Sequence, residues 1–347
     1  MTATELTRAW SLSDRWRISG VLATIALLHV GGVVLYLSYI HRPGSASAFA
    51  GAGVLAYTLG VRHAFDADHI AAIDDTTRLM VYQGRRPVGV GFFFAMGHSS
   101  VVIAMSMIIA AASGAADGTG LTHLRHLGSI VSTLVAAGFL SLVAVLNALV
   151  LRAMVGLWRR ARAGWIDEDE LTAALLNRGL VNRILGPRAQ LLIKSSWHMY
   201  PLGILFGLGL ETASEVALLT LSATTARAGA VPLAATLSLP LLFAAGMSAF
   251  DTCDGLLMSR AYAWSQDSPT RRLFYNLVTT SLTVVVAGFV ASVCLAGVLT
   301  ELFAVAVLRP YAAIGQHFQA LGFGVVGIFL VGWLGAAIVW RRIRGEL

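Results

Sequence analysis

Residues 62–70 read Arg62-His63-Ala64-Phe65-Asp66-Ala67-Asp68-His69-Ile70, and they lie inside an apolar stretch long enough to cross a bilayer. Each ionisable side chain placed at mid-membrane costs about 2.5–3.5 kcal/mol on insertion scales. Two imidazoles and two carboxylates in seven residues therefore need a compensating partner, and the partner that suits both groups is a metal cation. Three further apolar stretches carry polar motifs: Gly97-His98-Ser99, Glu211-Thr212-Ala213-Ser214-Glu215, and Asp251-Thr252-Cys253-Asp254.

Helical geometry sorts these residues. At about 100° per residue, His63, Asp66 and His69 fall within an arc of about 120°, while Asp68 points elsewhere. Either Asp68 meets another span or the helix is broken there, as in many transporter sites. Glu211 and Glu215 are spaced i, i+4, and Asp251 and Asp254 i, i+3, so each pair shares a helix face. Imidazole nitrogen with carboxylate oxygen suits divalent nickel, cobalt, zinc or manganese. The metal ligands expected are His63, Asp66, Asp68, His69 and His98. Arg62, Phe65, Ser99, Glu211, Thr212, Glu215, Asp251, Asp254 and the mid-span His29 are expected to line the pathway or support the ligands. Arg62 is expected to pair with a carboxylate, and His29 to serve at least as a hydrogen-bond partner between helices.

The elements that position these groups are membrane spans. The chain is 57% hydrophobic and 12% charged, against about a quarter charged for soluble domains. Eight apolar stretches, near 18–40, 48–74, 88–112, 128–151, 198–222, 231–257, 273–299 and 313–340, have the roughly 20 residues needed to span ~30 Å of hydrocarbon. The fold class expected is an all-α integral membrane protein with about eight transmembrane helices. It forms one polytopic domain, 1–347: spans 1–4 within 1–151, a cytoplasmic loop at 152–197, and spans 5–8 within 198–347. The loop holds Asp167-Glu168-Asp169-Glu170 before a run of spaced apolar residues, which reads as an amphipathic helix.

Basic residues orient the chain. With both termini in the cytoplasm, the inner segments hold 20 of the 25, Arg78 among them, and the outer segments only Arg42, Arg125, Arg227 and Arg309; Arg62 is the remaining one. This bias satisfies the positive-inside rule for the cytoplasmic membrane and accounts for the net charge of +7 without any nucleic-acid partner. No cleavable signal peptide is evident. Cys253 and Cys294 lie in spans, so neither a disulfide framework nor a thiolate site is expected.

Phe94 to Ser99 and Phe243 to Ser248 match with a separation of 149 residues. Gly60 and Asp68 match Gly207 and Glu215 at 147. Spans 1–3 and 4–6 are therefore expected to be related, and units of three spans must be inverted in the membrane. Spans 7 and 8 carry no comparable cluster and read as a peripheral pair.

With these motifs in view, the chain resembles the nickel/cobalt transporter (NiCoT) family of eight-span permeases. The resemblance covers most of the chain. It rests on the second-span His-x4-Asp-His signature at His63, Asp68 and His69, the third-span Gly97-His98-Ser99, and the sixth-span Gly246, Met247, Asp251, Thr252 and Asp254. The fifth span departs: Glu211 stands where the family usually has Asp, one methylene longer. The resemblance implies ligand roles for His63, Asp68 and His69, whereas helical phase favours Asp66 over Asp68. It also implies that Phe65 bears on the choice between nickel and cobalt. The function expected is secondary uptake of Ni²⁺ or Co²⁺ as substrate, with no cofactor and no enzymatic activity. The partners are the ion and the lipid bilayer; no nucleotide-binding Gly-x4-Gly-Lys-Ser/Thr is present, so ATP is not expected. Efflux through the same fold is the alternative. An intramembrane metalloenzyme is disfavoured by the lack of a His-Glu-x2-His helix.

Overall fold

The computed structural model describes residues 11–40, 51–82, 85–112, 119–163, 194–208, 215, 217–219, 221–223, 232–264 and 269–343. Their regular structure is helical throughout. In chain order the helices are α1 Leu12–Ile40, α2 Ala52–His63, α3 Ala67–Tyr82, α4 Val90–Ala112, α5 Thr119–Arg162, α6 Met199–Gly207, the short α7 Leu233–Thr236, α8 Ser238–Trp264, α9 Pro269–Leu302, the short α10 Arg309–Ala312, and α11 Phe318–Ile343. Among the described residues, five segments are long and apolar enough to cross a membrane: Leu12–Ile40, Val90–Ala111, Thr133–Arg160, Ala234–Arg260 and Leu273–Leu302. The chain is a multi-span membrane protein, and its burial pattern is that of one. Val30 on α1 and Val285 on α9 are 60% and 69% exposed, while His63 and His98 are 1% and 2% exposed. Lipid solvates the apolar exterior, and the polar groups find their partners inside.

The second expected span is two helices, not one. After His63 the chain tightens into a turn, with Phe65 N–H donating to the Arg62 carbonyl and Asp66 N–H to that of His63. Helical bonding resumes from Asp66, whose carbonyl accepts from Ile70 N–H. Regular helical phase therefore does not run from His63 to His69. The expected fifth span begins as α6, only nine residues long; Glu211, Thr212 and the rest of 209–214 lie outside the described residues. The fourth is longer than expected, because α5 runs 44 residues and takes in the start of the expected loop. The acidic run at 167–170 and its amphipathic helix lie outside the described residues. The eighth begins as a 3-10 turn at Ala313–His317 before α11.

The bundle is fastened where glycine lets backbones touch. A Cβ on Gly60 of α2 would strike the Phe243 backbone of α8, and one on Gly246 of α8 would meet the Tyr57 carbonyl and Val61 nitrogen of α2. The α4–α6 contact repeats this residue for residue: Gly203 lies on the Phe94 backbone, and Gly97 on the Tyr200 carbonyl and Ile204 nitrogen. Phe94 and Gly97 correspond to Phe243 and Gly246 at the expected separation of 149. Tyr57, Gly60 and Val61 correspond to Tyr200, Gly203 and Ile204 at 143. The contacts thus pair Gly60 with Gly203, not with Gly207 as the short sequence match suggested.

Helices α9 and α11 are not peripheral. Gly322 of α11 sits on the Phe65 carbonyl inside the helix break, and a Cβ there would overlap it. Phe323 stacks on the Phe65 ring at 4.9 Å between centroids. Thr283 of α9 donates to Asp74 of α3 at 3.4 Å.

Candidate metal centre

The helix break aims two imidazoles at a third. His63 ends α2, His69 lies in the first turn of α3, and His98 projects from the middle of α4. One ring nitrogen from each lies within 4.8 Å of the other two. The ring centroids are 4.5, 4.7 and 4.8 Å apart. Phe94 and Phe243, both fully buried, wall the cluster: His69 meets Phe94 edge-on at 4.8 Å, and His63 lies 5.6 Å from Phe243.

The closest approach is between His63 Nε2 and His98 Nε2, at 3.0 Å. Two imidazole nitrogens at that distance share either a proton or a cation, since two lone pairs repel. Glu215 Oε1 lies 2.9 Å from His98 Nε2 and 3.9 Å from His63 Nε2. The fifth span thus delivers a carboxylate oxygen to the point where the imidazoles converge. Three nitrogens and one oxygen form a borderline-soft donor set, suited to nickel, cobalt or zinc. Ligand–metal distances of about 2.0–2.2 Å are reached by contracting the cluster by roughly an ångström.

Supporting carboxylates stand behind the rings. Asp66 Oδ2 lies 2.9 Å from His63 Nδ1, an ion-pair contact without hydrogen-bond alignment, and its charge favours the proton on Nδ1 and the lone pair on the inward-facing Nε2. A carboxylate behind a histidine fixes the tautomer and makes the ring a stronger donor. Asp251 Oδ2 is 3.5 Å from His69 Nδ1 and holds that ring more loosely. The two ends of the broken helix oppose each other here, because the C-terminus of α2 at His63 is the negative end of its dipole and the N-terminus of α3 beside His69 is the positive end.

The remaining expected residues are placed as follows. Asp68 is half-buried and accepts the His69 backbone N–H at 3.0 Å, in the first turn of α3. It sits beside the imidazole cluster rather than behind a ring. Arg62 is exposed on α2. Phe65 is half-buried between Phe250 and Phe323. Ser99 is fully buried next to His98. Asp254 is half-buried one turn beyond Asp251. His29 donates from Nδ1 to the Ile25 carbonyl at 2.8 Å, and its Nε2 lies 3.4 Å from the Tyr57 hydroxyl, which joins α1 to α2 away from the cluster.

Sequence reasoning missed Asp74, Asp75, Thr76, Thr77 and Arg78, all 1% exposed or less on α3. The second apolar stretch runs out near residue 74, which on hydropathy alone places Arg78 in an inner segment outside the span. The helix continues to Tyr82 and keeps the guanidinium inside, 3.9 Å from Asp75. The available signal was the unbroken run of five polar residues without a Gly or Pro to end the helix.

A family model described as high-affinity nickel-transport protein, NicO, matches residues 49–339. The cobalt transport protein NhlF of Rhodococcus rhodochrous is 52% identical over 343 residues, 97% of each chain. The nickel transporter NicT of Mycobacterium tuberculosis is 42% identical, covering 99% of this chain and 93% of its own. The high-affinity nickel-transport protein NixA of Helicobacter pylori (strain 26695) is 41% identical, covering 91% and 95%. No solved structure matches the chain.

Proposed function

We infer, from the premise that this chain belongs to the high-affinity nickel-transport protein family, that it takes up divalent nickel or cobalt as a membrane permease. The observation that carries the site assignment is the convergence of His63, His69 and His98 with Glu215 in a buried, phenylalanine-walled cluster. The incoming ion exchanges its water for these donors, and displaces whatever proton His63 and His98 share. Asp66 orients His63, and Asp251 steadies His69. Both nickel and cobalt appear in the names of relatives, and a donor set of three imidazoles and a carboxylate accommodates either.

Eight spans with both termini in the cytoplasm, in the cytoplasmic membrane, is the topology this reading adopts, supported by the distribution of basic residues. The reciprocal glycine contacts of α2 with α8 and of α4 with α6 support an inverted repeat of spans 1–3 and 4–6. In that register Glu211 occupies the position of Asp68. Uptake draws on the membrane potential, worth about 2.3 kcal/mol per charge per 100 mV. A divalent ion gains twice that, enough for an accumulation of about 10³-fold. Transport of the ion, rather than catalysis with it, is the whole activity.

The test is accumulation of radiolabelled nickel and cobalt at submicromolar concentration in cells producing the protein. His63→Ala and His98→Ala are expected to abolish uptake while the variant remains in the membrane at normal abundance. Normal uptake by either variant removes that histidine from the site.

A further inference from the structure

The bend between α2 and α3 is what brings two of the three histidines together. On an unbroken helix His63 and His69 would stand about 9 Å apart along the axis and roughly 120° apart around it. Across the bend their ring centroids are 4.5 Å apart. Nothing in Ala64-Phe65-Asp66 ends a helix by itself, so the angle of the bend is set by what holds its apex. The apex is Phe65, and α11 grips it twice. Gly322 lies on the Phe65 carbonyl, and the Phe323 ring stacks on the Phe65 ring at 4.9 Å and 28°. Phe250 of α8 adds a third ring, 5.5 Å from that of Phe65.

This grip has a firm mount. Val325 of α11 is buried in the same apolar core as Ala67 and Ile70 of α3, and a Cβ on Gly332 of α11 would strike Leu282 of α9. Helix α11 is thus fixed between α3 and α9. Phe323 itself is 52% exposed, so about half of its surface faces lipid and little of the core depends on it. The ring contact it makes is with the apex of the bend. A side chain placed this way bears on the angle of the bend more than on the stability of the bundle.

We propose that Phe323 is a positioning residue for the metal centre: stacked on Phe65, it sets the bend between α2 and α3 and with it the spacing of His63 and His69 around the ion. The proposal rests on the permease reading above and deepens it. Phe323 touches no ligand atom and acts through Phe65. Ligands work only when their supports hold them within about 0.5 Å of the required geometry. Loosening the apex lets His63 and His69 drift relative to each other, while His98 on α4 stays in place. The ion then meets a distorted donor set, with weaker binding and a changed ligand field.

The experiment uses the purified full-length protein in lipid nanodiscs. Co²⁺ and Ni²⁺ binding are measured by equilibrium dialysis, the d–d absorption bands of bound Co²⁺ report the coordination geometry, and the melting temperature is read without metal. Phe323→Ala is expected to bind both ions about tenfold more weakly, the scale of one aromatic pair, with shifted Co²⁺ bands and a melting temperature close to that of wild type. Phe323→Tyr keeps the ring and is expected to match wild type in affinity and bands. Phe323→Leu suits lipid but lacks the ring, and is expected to follow Phe323→Ala; it decides the matter should Phe323→Ala fail to accumulate. Wild-type affinity and bands in the variants without the ring overturn the proposal. So does a fall in affinity and melting temperature together with unchanged bands, which is the mark of a merely structural role. Absence of binding by wild type, or wild-type binding by His63→Ala, overturns the histidine cluster instead.

Discussion

Replacing Asp66 by Asn keeps the shape behind His63 and removes the charge. In the structure the carboxylate lies 2.9 Å from Nδ1, with both residues 4% exposed or less at the side chain. Loss of a carboxylate behind a metal-binding histidine typically weakens metal affinity about 10–100-fold. That range is about 1.4–2.7 kcal/mol. The amide also has an NH₂ face, so the ring has less reason to keep its proton on Nδ1. Asp66→Asn is therefore expected to raise the nickel concentration for half-maximal uptake by about 10–100-fold, with membrane abundance unchanged. Asp68→Asn, whose carboxylate caps the His69 N–H at the start of α3, is expected to act through helix stability and to change that concentration by less than about fivefold. The assay is concentration-dependent uptake of radiolabelled nickel over nanomolar to millimolar metal. An unchanged Asp66→Asn variant beside a severely impaired Asp68→Asn variant would refute the reasoning and return the ligand role to Asp68.

Glu215→Gln retains an oxygen donor but no charge, and is expected to lower nickel affinity about tenfold or more in dialysis of the purified protein; wild-type affinity would place Glu215 outside the coordination sphere. Gly322→Ala puts a carbon into the Phe65 carbonyl, and overpacking costs about 1–3 kcal/mol; uptake and thermal stability should fall together, and an unaffected variant would show that α11 yields freely. His29→Ala is expected to keep uptake within about threefold, because its bonds run to Ile25 and Tyr57; abolished uptake at normal abundance would bring it into the pathway. Arg86→Ala removes the guanidinium from Asp14, which is 3% exposed. Ser11 still donates to that carboxylate twice, so the expected loss is about 1–3 kcal/mol, read as a lower melting temperature in detergent, and an unchanged melting temperature would mean that Ser11 suffices.

The three histidines were legible in the sequence because ionised or polar rings in an apolar stretch have few inexpensive explanations. The break at residues 64–66 was half legible: Asp68 lay out of phase with His63 and His69, but nothing in Ala64-Phe65-Asp66 is a helix breaker. The turn is held by tertiary contact, with Gly322 against the Phe65 carbonyl 257 residues later, and no local pattern encodes that. Glu215 looked like a pathway residue because its partner His98 lies on another helix. Arg78 was misplaced because hydropathy marks where apolar residues stop, whereas burial depends on what packs around the helix. The register of the repeat was off by four residues because matching letters weighed Gly60 against Gly207, while the backbone contacts weigh Tyr57 against Tyr200.

The glycine-fastened pairs divide the donors between them. His63 travels with α2 and α8, and His98 with α4 and α6. Gly91 of α4 rests on the Asp251 carbonyl of α8 and joins the two pairs there, so a pivot about that contact stretches the 3.0 Å between His63 Nε2 and His98 Nε2. Grip on the ion is then tied to closure. A closed centre surrounds the cargo with donors from both bodies, and an opened one leaves it half-clasped. No competing ligand is needed to strip the ion away, because the motion that unseals the exit also dismantles the clasp.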